Sequence, residues 1–157
     1  MKTLVIWMLC SNAVWAHDLK QLLGTWKTVK VVTASPIVGS DPDLDTLAGK
    51  YLYVGPKTVR VGRHSCIGPY KPIRESLAEF QEDYKLSQAD VRDLNLPDPV
   101  SGYRADCIDI FLPKPGIMIF NLEGFFYRAV RVSNITQPEA EKSHNNHAET
   151  QPQHSDH

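Results

Sequence analysis

The sequence predicts a mainly β fold, either a small antiparallel barrel or a strongly curved sheet, with a helical insertion at about residues 72–95. Three features of the sequence support this prediction. Runs rich in β-branched and aromatic residues recur along the chain. The later runs are separated by Gly- or Pro-marked links of hairpin length. One stretch in the middle has the periodicity of a helix instead of a strand.

The chain begins with the features of a cleavable export signal. Lys2 gives a positive start, residues 4–9 are apolar, and Val14-Trp15-Ala16 ends on a small residue acceptable to a signal peptidase. The segment is too short for a stable membrane span, which needs about 20 residues. We therefore expect residues 1–16 to be removed, and the protein to be periplasmic or extracellular without a stable membrane anchor.

The first strands are predicted from residue 24 onwards. Gly24 opens a β-branched run that continues to Thr33. After a loop with a helical turn at residues 43–48, residues 51–54 and 58–61 flank a Gly-Pro-Lys link. This pattern predicts a hairpin whose second strand runs on towards the first cysteine of the domain.

The middle of the chain is predicted to be helical. Apolar residues at helical spacing indicate one helix over residues 72–84. Ser87 is followed three residues later by Asp90, which is the capping-box pattern of a second, shorter helix. A Pro- and Gly-marked connection is expected over residues 96–102.

Three further strands are predicted over residues 104–112, 117–122 and 125–132. The links between them are short enough for hairpins, so these strands should form an antiparallel meander. Six strands are therefore expected in a single domain that covers residues 17–135.

Residues 136–157 differ from the rest of the chain. They contain no aromatic and no large aliphatic residue, so they cannot bury enough apolar surface to fold and should form a disordered tail. The tail carries two H-x-x-H pairs, which could collect zinc or copper. Cleavage after Ala16 would also expose the α-amine of His17, which favours copper. The candidate metal ligands are His17, His144, His147, His154 and His157.

The predicted domain contains two cysteines, since Cys10 belongs to the signal. In an oxidising compartment Cys66 and Cys107 should form one disulfide. It would close a loop of roughly 40 residues, for which chain entropy suggests about 3–4 kcal/mol. The alternative is a zinc or copper site that adds His64, because His64 and Cys66 would share one face of a strand.

The segment Leu22 to Lys27, which reads LLGTWK, resembles the first-strand signature of the lipocalin and wider calycin superfamily. In that family the tryptophan closes the base of the barrel and packs against an arginine of the last strand. The resemblance implies a calycin-like barrel in which Gly24 and Trp26 are structural and Arg128 or Arg131 covers the indole. Such a cation–π contact is worth about 0.5–2 kcal/mol. A lipocalin barrel has eight strands, more than are visible in this sequence.

Two function classes receive little support. The formal net charge is −1 and no basic stripe with interleaved aromatic residues occurs, so we expect no binding to nucleic acid. There is no G-x-S-x-G motif and no Cys–His pair of catalytic type, so enzymatic activity is uncertain and disfavoured.

Two functional hypotheses remain open. The first is a secreted or periplasmic, non-enzymatic binding protein for a small apolar ligand or a transition metal. Its binding residues are unknown, and the barrel interior would be lined or filled by Tyr51, Tyr53, Tyr103, Phe111, Phe120, Phe125 and Tyr127.

The second hypothesis is an exported inhibitor or immunity-type protein that binds a protein of the same compartment. Its contact patch would lie at residues 67–74 or 96–104, where aromatic or Arg anchors are available. Asn134 also begins an N-x-T sequon, which matters only in a eukaryotic secretory pathway.

Overall fold

A computed structural model describes residues 19–36, 38 and 46–134. In these residues a 3-10 turn at Leu19–Gln21 is followed by nine strands and two helices. The strands are β1 Gly24–Ala34, β2 Tyr51–Val54, β3 Thr58–Val61, β4 His64–Ile67, β5 Lys71–Glu75, β6 Val100–Arg104, β7 Ile108–Lys114, β8 Ile117–Leu122 and β9 Phe125–Ser133. The helices are α1 Leu77–Asp83 and α2 Gln88–Leu94, both between β5 and β6.

The nine strands form one antiparallel sheet in the order β4-β3-β2-β1-β9-β8-β7-β6-β5. It is strongly curled into a half-barrel, so the predicted fold class is confirmed. The predicted meander is present as β7, β8 and β9. Glu123 and Gly124, which link the last two strands, have φ angles of 51° and 90°, as a tight hairpin turn requires.

The prediction of six strands was wrong, because three further strands are present. The strand expected to run from residue 58 towards Cys66 breaks at Gly62, whose φ of 56° turns the chain. Residues 71–75 form strand β5 instead of the start of a helix, and residues 100–104 form β6 instead of a loop. These two strands pair with each other, which is a contact that local periodicity does not reveal.

Helix α1 begins later than predicted because Ser76 caps it. The Ser76 hydroxyl accepts a hydrogen bond from the Glu79 amide, and the Glu79 carboxylate accepts one from the Ser76 amide. Ser87 and Asp90 form the same capping box in front of α2, as predicted. The carboxylates accept these hydrogen bonds more strongly when ionised, so the pKa of Glu79 and that of Asp90 are lowered.

The sheet curls around one core, which defines its inner face. Side chains from both ends of the strand order meet there: Val59 of β3 belongs to the same buried cluster as Ile108 of β7. The largest members are fully buried, and they are Trp26, Leu52, Met118, Phe120 and Tyr127. Within the described residues, the interior of the half-barrel is therefore filled by side chains.

The two helices cover part of the opposite, outer face. Phe80 of α1 and Leu94 of α2 pack with Phe111, Ile119 and Phe126 of the sheet in a second buried cluster. The rings of Phe80 and Phe111 meet edge to face with their centroids 5.4 Å apart. This packing explains why Phe111 does not line the interior.

The two edge strands β4 and β5 flank the open side of the half-barrel. Cys66 at the end of β4 is bonded to Cys107 in the β6–β7 link, with Cα atoms 5.4 Å apart. The Asp106 amide also donates to the Ile67 carbonyl at 3.2 Å. Because the two sulfur atoms are joined, they are not available for the alternative zinc or copper site with His64.

No helix in the described ranges is long and apolar enough to cross a membrane.

Candidate functional site

The outer face of the sheet is covered by helices over only part of its width. Where the helices do not reach, on the first part of β1, on β2 and at the end of β9, the outward-facing side chains are exposed or half-buried. The exposed apolar ones include Tyr51, which is 46% exposed, and Val132, which is 53% exposed. We call this region the basic face, and it consists of Lys27, Val29, Lys30, Tyr51, Tyr53, Arg128 and Val132.

The strand register brings these residues together. Lys27 lies opposite Tyr51 on β2 and opposite Val130 on β9. Val29 lies in a bulge of β1 between Thr28 and Lys30 and is 49% exposed. Aliphatic, aromatic and cationic side chains therefore alternate across three adjacent strands.

A like-charge pair lies in the middle of the basic face. Lys30 is the direct cross-strand neighbour of Arg128, which is an unfavourable pairing in a sheet. Neither side chain has an acidic partner among the described residues. A carboxylate at either position would make a more favourable cross-strand pair.

Cationic and acidic residues are unevenly distributed along the chain, although the formal net charge is only −1. Residues 19–36 and 46–74 contain Lys and Arg but no Asp or Glu, whereas residues 37–45 between them contain three Asp. The acidic residues of the described part lie between Glu75 and Glu123, on the two helices, on β5 and β7, and in the links that follow α2, β6 and β8. Counting charge by segment would have shown from sequence that the cations are concentrated on the early strands, which the net charge did not show.

A polar cluster lies at the other end of the outer face, beside α1. Arg104 donates from Nε to Asp109 at 2.7 Å, and the Tyr84 hydroxyl donates to the same carboxylate. Burial, followed by the charge of Asp109, raises the pKa of Tyr84. The carboxyl of Glu75 has a raised pKa because of burial and the neighbouring Asp83. The Tyr84 hydroxyl ties the end of α1 to Asp109 of the sheet, whereas Oε1 of Glu75 is buried without a hydrogen-bond partner.

The base of the half-barrel holds the contact that the family resemblance predicts. The guanidinium of Arg131, not that of Arg128, lies 4.1 Å from the centroid of the Trp26 ring. Its Nη1 donates to the Leu23 carbonyl at 2.8 Å, and the Trp26 indole donates to the Leu22 carbonyl at 2.9 Å. Trp26 pairs with Arg131 in the register, which is why this arginine and not the other reaches the ring.

Gly24 belongs to the same base. A Cβ atom at this position would lie 2.4 Å from the Ser133 carbonyl oxygen and 2.8 Å from Nη1 of Arg131. Its φ of 136° is also one that side chains rarely adopt. The Gly-x-Trp spacing is thus explained by the close approach of β1 and β9 at the arginine.

The two contact patches expected from the sequence meet at the open side of the half-barrel. Ile67, Lys71 and Arg104 line a cleft of about 490 Å³ next to the disulfide. Ile67 is 61% exposed, and Arg104 is already paired with Asp109. The cleft offers one apolar anchor, which is fewer than the basic face provides.

The aromatic residues expected inside the barrel divide between its two faces. Phe120 and Tyr127 are inside, where their rings stack with centroids 4.9 Å apart. Phe125 and Tyr103 pack against the edge of the inner core. Tyr51, Tyr53 and Phe111 lie on the outer face, because strand alternation places them opposite Leu52, Val54 and Ile110.

The proposed metal ligands His17, His144, His147, His154 and His157 lie outside the described residues. Within the described part, no group of three or more His, Cys, Asp or Glu residues is arranged to hold a metal ion. The expected tail at residues 136–157 and the expected signal at residues 1–16 also lie outside it.

No family model, curated protein or solved structure matches the chain.

Proposed function

We propose that this chain is an exported, non-enzymatic protein-binding module with a lipocalin-like architecture, and that its basic face docks an acidic surface of another protein. This is the role of an inhibitor or immunity-type protein in the same compartment. The observation that supports it is the uncompensated Lys30–Arg128 pair, surrounded by exposed Tyr51, Val29 and Val132.

The mixture of side chains favours a protein over other anionic partners. Tyrosine and arginine are enriched at protein interfaces, and exposed aliphatic side chains form the apolar part of such contacts. Val29 and Val132 would make poor contacts with phosphate groups. An acidic partner would relieve the repulsion between Lys30 and Arg128 and would be steered to the face by its charge.

The filled interior argues against a carrier of a small apolar ligand inside the half-barrel. Trp26, Phe120 and Tyr127 occupy the space such a ligand would need. The transition-metal version of the binding hypothesis depends on histidines outside the described residues, and no observation within the structure favours it.

Site-specific photo-crosslinking in the cells that produce the protein would test the proposal. A benzophenone amino acid replaces Tyr51 in one variant and the exposed Asp93 of α2 in a control variant. We expect one protein to be crosslinked through position 51 and not through position 93. Equal labelling from both positions, or crosslinks to a second copy of this chain or to nucleic acid, would contradict the proposal.

The crosslinked partner would then be purified for binding measurements by surface plasmon resonance. We expect Lys27→Glu to lower the association rate by at least about tenfold at low salt, with a smaller effect at high salt. Arg92→Glu on α2 changes the charge by the same amount and should leave the rate unchanged. Identical rates for the two variants would show that the basic face is not the contact.

A further inference from the structure

The cations of the basic face are not neutralised by the part of the chain that the structure describes. Lys27 and Lys30 are exposed on β1, and neither has an ion-pair partner among the described residues. Arg128 beside them on β9 is half-buried, and its Nε is buried without a hydrogen-bond partner there. A carboxylate that reaches this face would therefore meet two accessible ammonium groups and the uncompensated charge of a guanidinium.

The chain continues after Asn134 with a segment of opposite charge. Residues 139–149, which we call the acidic segment, contain one lysine and three acidic residues, namely Glu139, Glu141 and Glu149. The first two are separated by a single alanine, so in an extended backbone their carboxylates point to the same side about 7 Å apart. Two carboxylates on one side match a surface on which cations lie on adjacent strands.

The acidic segment is close enough in sequence to reach the basic face. In the register, Lys27 lies beside β9 four residues before Asn134, and Lys30 lies beside it six residues before. At about 3.4 Å per residue these positions are about 14 Å and 20 Å from Asn134. An unstructured chain of five to fifteen residues, the separation from Asn134 to the acidic segment, spans about 12–21 Å on average. The two sets of distances agree.

Attachment to the same chain strengthens this contact. A short linker gives the attached segment an effective concentration on the order of millimolar at the face, so that even weak charge pairing would be populated. The contact would also relieve the unfavourable cross-strand pair of Lys30 and Arg128. No separate molecule of low abundance has this advantage.

We infer that the acidic segment of the same chain docks on the basic face, with its glutamates beside Lys27 and Lys30. The docking itself requires no external partner. Its consequence is that the segment competes with an acidic protein for the face, and this consequence rests on the proposed function. The segment is then an internal competitor that a tighter partner displaces.

Zero-length crosslinking with a carbodiimide tests the docking, because the reagent joins an amine only to a carboxylate in contact with it. The full chain is treated at low salt and low concentration, and the linked peptides are identified by mass spectrometry. A mixture of unlabelled and heavy-isotope-labelled protein separates links within one chain from links between copies. Lys114 is the internal control: it is exposed and lines one groove together with Asn134, so an undocked segment would reach it readily.

We expect the glutamates of the acidic segment to be linked to Lys27 and Lys30 within one chain. These links should be at least about fivefold more frequent than links to Lys114, because the segment is held at the basic face. Their yield should fall at about 0.5 M salt, since exposed charges are screened there.

Two variants with the same change of charge provide a second measurement. The segment variant carries Glu139→Gln, Glu141→Gln and Glu149→Gln, and the control variant carries Asp41→Asn, Asp43→Asn and Asp45→Asn between β1 and β2. Acetylation of Lys27 and Lys30 by a trace amount of acetic anhydride should be about threefold faster in the segment variant than in the unaltered chain, because paired amines react more slowly. Acetylation in the control variant should be unchanged.

Three results would overturn the inference: links to Lys114 that are as frequent as links to the basic face, links that form mainly between copies, or equal acetylation in the segment variant and the control variant. The photo-crosslinking at position 51 is a separate test. Its failure to capture a partner would overturn the proposed function and leave the intramolecular links as they are. With a captured partner, the segment variant should associate about threefold faster than the unaltered chain, and equal rates would show that the docked segment does not compete.

Discussion

Gly24 occupies a position where a larger residue has no room. A Cβ atom at this position would clash with the Ser133 carbonyl oxygen and with Arg131, whose guanidinium lies over the indole of Trp26. The same guanidinium donates to Leu23, so one arginine joins the start of β1 to the end of β9. Gly24, Trp26 and Arg131 therefore depend on one another at the base of the half-barrel.

We expect Gly24→Ala to lower the free energy of unfolding by about 3 kcal/mol, because backbone strain and a clash with a backbone oxygen both act. The control is Gly49→Ala, where φ is 82° but no atom lies within 4 Å of the added Cβ. That variant should lose only about 1 kcal/mol from the left-handed conformation. Urea unfolding followed by circular dichroism measures both, and equal losses would contradict the role given to Gly24.

Glu75 is the second residue whose environment leads to a prediction. Burial and the nearby carboxylates of Asp83 and Asp109 raise its pKa, so its ionised form destabilises the fold above that pKa. This penalty disappears as the pH falls through the raised pKa. Glu75→Gln should therefore stabilise the protein at pH 7, by about 0.5 kcal/mol for a partly solvent-screened group.

The gain from Glu75→Gln should shrink or reverse at pH 4, where the native carboxyl is protonated. Thermal unfolding of both proteins at the two pH values measures the difference. Glu123→Gln, at an exposed turn position, should change neither midpoint. A gain that is the same at pH 4 and pH 7 would mean that the charge of Glu75 is not its cause.

At the level of elements, both helices have only seven residues and depend on their caps. Asp90 also accepts a hydrogen bond from Thr33 of β1 at 2.6 Å. Helix α2 is therefore attached to the sheet by the same carboxylate that caps it. Helix α1 has the same capping box, but Glu79 makes no such contact to a strand among the described residues.

We expect Asp90→Ala to cost about 1 kcal/mol of unfolding free energy, through the lost cap and the lost contact to Thr33. Glu79→Ala removes a cap alone and should cost less. The pKa of Asp90 is lowered, so its stabilisation is present at neutral pH and disappears as the pH falls through that lowered value. Chemical unfolding at pH 7 and pH 3 measures both effects. The loss should be smaller at pH 3, and an equal loss at the two pH values would contradict this assignment.

Elements specified by nearby residues were predictable, and elements specified by distant partners were not. The capping box at Ser87 and the hairpin at Glu123 are visible within a few residues. Strand β5 contains Pro72 and charged residues, so only its pairing with β6, across both helices, identifies it. Likewise, the sequence does not show whether Arg128 or Arg131 covers the Trp26 ring, because this depends on the register between β1 and β9.

At the level of the whole molecule, the outer face has two halves of different chemistry. The helices, which carry acidic residues, cover one half of the outer face, and the other half is the uncovered basic face. The half-barrel itself was predictable from the strand pattern, whereas the basic face was hidden by a net charge of −1. A binding surface made by register and strand alternation becomes visible only when the strands have been placed.

At the open side of the half-barrel, the Cys66–Cys107 disulfide joins the edge strand β4 to the β6–β7 link. Tyr70 assists by donating from its hydroxyl to the Gly55 carbonyl at 2.7 Å, and its burial raises the pKa of that hydroxyl to about 12. Strand β4 pairs with β3 alone, so without the disulfide it is held by one neighbour. Loss of the bond should therefore loosen this edge before the centre of the sheet.

We expect the double variant Cys66→Ala and Cys107→Ala to lose about 3–4 kcal/mol of unfolding free energy, as the closure of a loop with a sequence separation of 41 implies. Hydrogen exchange should accelerate in β3 and β4 and stay slow in β8 and β9, which have a strand on each side. Ser65→Ala, at the exposed neighbouring position of β4, is the control and should change neither quantity. A uniform acceleration across the sheet would show that the disulfide stabilises the fold as a whole and does not serve to close its open side.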